Sequence, residues 1–109
     1  MRTIEYHLHD EKELADACMS FIKDGGLFIK TNMSCRLGDE VSVSVKLLDD
    51  PTLLNFAGKV VWITPEHEQN NLPQGIGLQF PEKTAMAIRS VIEKHLPEAF
   101  LKNTGIFGV

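Results

Sequence analysis

The chain has 109 residues, 43% of them hydrophobic and 24% charged, with a net charge of −4. That length suffices for one domain whose core needs neither disulfide nor metal. The acidic balance excludes a dedicated nucleic-acid binder, which needs a basic patch to displace counterions. No apolar run reaches the length of a membrane span, and MRTIEYHLHDEKE is no signal peptide, so a cytoplasmic protein with no membrane insertion is expected. Its two cysteines, Cys18 and Cys35, are then expected to be reduced thiols.

Ile4, Tyr6 and Leu8 alternate with Glu5, His7 and His9, the period of a half-buried strand. Asp10 stands three residues before Glu13, which predicts a capped helix over residues 11–19. The glycine pair Gly25-Gly26 then predicts a tight turn ahead of a strand from Leu27 to Thr31, and Leu37-Gly38-Asp39 marks the next turn. From Val41, VSVSVKL alternates strictly and puts Val41, Val43, Val45 and Leu47 on one face. NFAGKVVWI, residues 55–63, is a further strand in which Gly58 suggests a bulge or bend. Residues 64–74 form the longest loop, and GIGLQF, residues 75–80, ends the β region. Beyond Pro81 the period changes. Ala85, Ile88, Val91, Ile92 and Leu96 recur at helical spacing until Pro97, predicting a helix over about 82–96. Short strands followed by one helix predict a small closed or nearly closed β-barrel over about 4–80, capped by that helix, with an apolar tail over 97–109.

Little of this sequence has the spacing of a chemical site. His7 and His9 share a strand face, but no third ligand is in register with them, and zinc sites want three or four. His67 falls in the polar loop and His95 at the helix end, where neither requires a function. Asp39-Glu40 and Asp49-Asp50 are adjacent pairs at strand ends, and adjacent strand residues point to opposite faces, so they read as turn chemistry. No catalytic triad order, P-loop or nucleophile elbow is present. Gly75-x-Gly77 is followed by a strand rather than the helix a dinucleotide site needs. Trp62 reads as a core or barrel-wall aromatic. An enzyme is not expected, nor is a cofactor.

KDGGLFIKT, then LGDEVSVSVKL, then AGKVVWITPE, then a polar loop and GIGLQF before a helix: this order resembles the PilZ domain family over roughly residues 4–96. LGDEV, AGKVVWITP and GIGLQF look most like its type IV pilus-assembly subgroup. The resemblance implies a six-stranded antiparallel β-barrel with a C-terminal α-helix. Many PilZ domains bind cyclic di-GMP through an RxxxR motif leading into the barrel and a [D/N]xSxxG motif at its first glycine turn. Arginine forks suit the phosphates and guanine edges of that anion. Here the second motif aligns with Phe21-Ile22-Lys23-Asp24-Gly25-Gly26, where Phe21 replaces the polar position and Lys23 the serine, and only Gly26 is kept. Residues 3–35 contain no arginine, leaving Arg2 alone upstream of the turn, and Asp10, Glu11, Glu13 and Asp16 face a single Lys12. No cyclic di-GMP binding is therefore expected, and Gly25 and Gly26 read as a structural turn.

The pilus-assembly subgroup is similar in lacking both motifs. The resemblance then implies an adaptor in pilus biogenesis and twitching motility, with two partners: a pilus-extension ATPase of PilB type and an EAL-domain cyclic di-GMP receptor of FimX type. The alternative is a cyclic di-GMP sensor built from non-standard residues. Without a ligand site, function has to rest on exposed apolar surface. Met19, Phe21 and Ile22 before the turn are one candidate partner surface. Phe100, Leu101, Ile106 and Phe107 in the tail are the other.

Overall fold

The computed structural model describes residues 2–66 and 73–101. Its elements in chain order are β1 (Arg2–Leu8), α1 (Glu11–Ala17), β2 (Gly26–Lys30), β3 (Glu40–Leu47), β4 (Leu54–Thr64), β5 (Gly75–Gln79) and α2 (Ala85–Glu93). The strands make one sheet in the order β1-β3-β4-β5-β2. It is a curled half-barrel. The two edge strands approach each other across the opening, where the Lys30 amide donates to the Tyr6 hydroxyl at 3.3 Å.

Two features of the expected barrel are corrected. Among the described residues there are five strands and not six, so the sheet stays open between β1 and β2. It is also not all antiparallel, since β1 pairs parallel with β3, Arg2 opposite Val41 through Leu8 opposite Leu47. The reason lies in the connection: α1 and β2 intervene, and a crossover of that length returns the chain to the end from which it started. Strand periodicity carries no information about direction.

Elsewhere the local chemistry decides the structure as the sequence suggests. Val41, Val43, Val45 and Leu47 are all buried at 1% exposure or less, each contributing about 1.5–3 kcal/mol. Asp10 caps α1 by accepting from the Glu13 amide at 2.8 Å, and Glu13 reaches back to the His9 amide at 2.8 Å. The helix stops at Ala17, two residues short of expectation, because Cys18 forms a single antiparallel bridge to Leu27. α2 is likewise shorter than 82–96. Ala85, Ile88 and Ile92 make its buried stripe, while Leu96 reaches the core from beyond the helix end.

Gly58 is not the bulge. The register of β4 against β5 shifts between Val60 and Trp62, so the extra residue lies there. Gly58 is needed for a different reason: a Cβ on it would stand 2.7 Å from the Leu78 Cβ. The bulge has a consequence for the surface. Leu54, Phe56, Gly58 and Val60 point inward, and an unbroken strand would carry Trp62 inward as well. With one residue added, Trp62 turns out of the core and is 44% exposed.

Candidate functional site

The glycine turn is built from Ile22 to Gly26. Asp24 and Gly25 take positive φ, +70° and +84°, and the Gly25 amide closes the turn onto the Ile22 carbonyl at 2.8 Å. Gly26 already belongs to β2 and has another role: a Cβ there would meet the Leu78 carbonyl oxygen at 2.7 Å. Thus Gly25 provides the conformation and Gly26 the close approach.

The outer face of the sheet beside this turn forms the most distinctive site. Phe28 on β2 and Trp62 on β4 both pair with Gly77 of β5, one from each side. Lacking a side chain, Gly77 leaves a lane between the two aromatics. Met19 fills it, its Sδ 2.8 Å from where a Gly77 Cβ would sit, with the Trp62 Cβ equally near. The Trp62 indole N–H donates to the Thr64 hydroxyl at 2.9 Å, which fixes the ring. Phe21 then stands edge-on to Trp62, centroids 6.4 Å apart, while remaining 73% exposed. A groove of about 690 Å³ opens over this cluster. Tyr6 and His7 of the β1 edge and His9 just beyond it, with Glu13 and Asp16 of α1, line its other wall.

The residues singled out from the sequence are divided by this geometry. Phe21 is fully presented and Ile22 is partly buried at the turn. Met19 is only 6% exposed, so it supports Trp62 from below and offers no surface of its own. Phe100 packs edge-on against core Phe80, centroids 5.7 Å apart, and is thereby part of the fold, whereas Leu101 is 66% exposed. Ile106 and Phe107 lie outside the described residues. Of the two readings of Trp62, core or barrel-wall aromatic, its 44% exposure on β4 excludes the core and leaves the wall, and Phe28 and Gly77 were not seen as site residues. Gly75-x-Gly77 was the available signal, as two glycines on the outer face of a strand whose Ile76 and Leu78 face inward.

Burial pushes the Cys18 thiol up to about 12, which leaves it protonated and poorly nucleophilic. The His7 ring bonds the Leu48 carbonyl at 3.0 Å and the His9 ring bonds Glu13 at 3.1 Å. Among the described residues no three His, Cys, Asp or Glu side chains could hold a metal ion.

A second, smaller cavity of about 320 Å³ lies against the glycine turn, lined among others by Lys23, Gly25, Arg89 and Phe100. Arg89 of α2 was missed because it follows the turn by 64 positions, and only folding brings its Cδ to 3.3 Å from the place of a Gly25 Cβ. Arg2 is engaged elsewhere: its guanidinium binds the Asp39 carboxylate at 2.8 Å and the Ser34 carbonyl.

The sequence model of the PilZ domain matches residues 2–96. The chain belongs to the PilZ domain family. PilZ domains are in general non-catalytic, acting as cyclic di-GMP-binding or adaptor domains. No curated protein matches the chain. No described helix of this PilZ domain is long and apolar enough to cross a membrane.

Proposed function

We propose that this PilZ domain is a non-catalytic adaptor in type IV pilus biogenesis and twitching motility, acting in the bacterial cytoplasm. Its partners are a pilus-extension ATPase of PilB type and an EAL-domain cyclic di-GMP receptor of FimX type. The second messenger is then read by the partner, and this chain binds protein only.

One observation carries the reading. Where a receptor would hold polar groups against the nucleotide, this chain presents Phe21, leaning on an exposed Trp62 above an apolar groove. Exposed aromatics over a packed base are the usual anchors of protein interfaces. Charge supports it as well, because the upstream segment repels an anion and its one arginine is bound to Asp39. The test is capture of the purified ATPase and of the EAL-domain protein by wild type, Phe21→Ala and Trp62→Ala. At least one partner should be captured by wild type and lost in both variants. Equal capture by all three would put the docking surface elsewhere.

A second reading has one observation in its favour. Lys23 and Arg89 line the cavity at the glycine turn, and two cations there could hold a phosphate against the single carboxylate of Asp24. Cyclic di-GMP binding abolished by Arg89→Ala would establish that reading in place of the first.

A further inference from the structure

We infer that the segment received by the Phe21–Trp62 groove is cationic: an aromatic or aliphatic anchor flanked by arginine or lysine, the anchor seated among Phe21, Phe28 and Trp62. This rests on the adaptor reading above and specifies the chemistry of the partner.

The two walls of the groove differ in kind. One is the aromatic cluster over Gly77. The other is the end of β1 together with α1, and it is acidic. Residues 5–16 hold five carboxylates, Glu5, Asp10, Glu11, Glu13 and Asp16, against Lys12 alone. Glu13 and Asp16 line the groove directly. The His9 backbone amide, and then the His9 ring, hold the Glu13 carboxyl below the usual carboxylate range, so it stays ionised. Two lysines oppose this field. Lys12 pairs with Asp16 at 3.1 Å, but both side chains are largely exposed, and such a pair exchanges readily for a partner's cation. Lys30 of β2 lines the groove as well, and its charge acts on Glu13 across it, so it offsets part of the acidic wall. His7 and His9 complete that wall, their rings in tilted contact with centroids 3.9 Å apart. An apolar floor beside an ionised wall selects a segment with the reverse pattern, apolar on one side and cationic on the other.

The test is a displayed library of random peptides, selected on the immobilised full chain and counter-selected on Trp62→Ala. Recovered peptides should carry an aromatic or aliphatic residue next to arginine or lysine. Their affinity should fall about tenfold in a Glu13→Gln, Asp16→Lys double variant, and weaken with added salt. Glu13→Gln keeps the acceptor for the His9 amide, and an unchanged melting curve verifies the fold. Neutral or acidic peptides that still depend on Trp62 would overturn the cationic inference while leaving the groove as the docking site. A selection that yields no binder surviving the Trp62→Ala counter-selection would overturn the docking site with it. Self-association dispersed by Trp62→Ala would assign the groove to a second copy and equally overturn the inference.

Discussion

Replacing Gly26 by valine tests the reading of the glycine turn as structure. A Cβ at this position would lie 2.7 Å from the Leu78 carbonyl oxygen, 3.3 Å from its carbon and 3.4 Å from the Ile22 Cδ1. The oxygen cannot withdraw cheaply, because Leu78 is held in β5 between Val60 of β4 and Leu27 of β2. Overpacking of this kind costs about 1–3 kcal/mol, and the valine methyls crowd Ile22 further. In a domain of this size that lowers the melting temperature by about 4 °C per kcal/mol or more. Gly25→Ala separates the other component. Its φ of +84° costs about 1–2 kcal/mol for a residue with a Cβ, and that Cβ also touches the Phe80 ring at 3.2 Å. Gly38→Ala, at φ +95° with nothing within 4 Å, reports the conformational cost alone. Urea unfolding followed by the fluorescence of the single tryptophan, with thermal melts by circular dichroism, measures all three. Gly26→Val should be destabilised, and Gly25→Ala should lose more than Gly38→Ala. A wild-type midpoint for Gly26→Val would refute the close approach on which the turn depends.

Ile92→Ala empties a fully buried position under α2 and should cost about 2–5 kcal/mol in the same assay. Phe21→Ala should leave the melting temperature within about 2 °C, because the ring is mostly solvent-exposed, while weakening partner capture by about 2 kcal/mol or more. Asp50 is held below its ordinary value of 3.8, first by the Thr52 amide and then by the His95 ring. With a depressed native pKa, its contribution is present above the unfolded value and is lost as pH falls through the native one. Asp50→Asn should therefore flatten the acid limb of a stability–pH curve, and an unchanged limb would show the contacts to be idle.

Much of the fold could be read locally. VSVSVKL gives its inward face by alternation alone, and Asp10 with Glu13 announces the start of α1. The parts that could not be read are non-local. The parallel pairing of β1 depends on where α1 and β2 deliver the chain, and a strand's own residues are blind to it. The half-exposed Trp62 depends on a one-residue bulge whose cause lies in the pairing of β4 with β5, beyond Gly58, the more conspicuous cue. Phe21 could be found because it stands where a receptor would be polar. Its neighbours Phe28, Gly77 and Met19 come from three separate segments, and only the sheet brings them under one ring. Arg89 escaped for the same reason, reaching the glycine turn from the far helix.

The most direct measurement is calorimetric titration of cyclic di-GMP into the full chain. Two arginine forks are missing upstream of the turn, each worth about 1.5–3 kcal/mol as a hydrogen bond to a charged group. No heat of binding is predicted. A micromolar dissociation constant, lost in Arg89→Ala, would contradict the adaptor reading and make this chain itself the receptor.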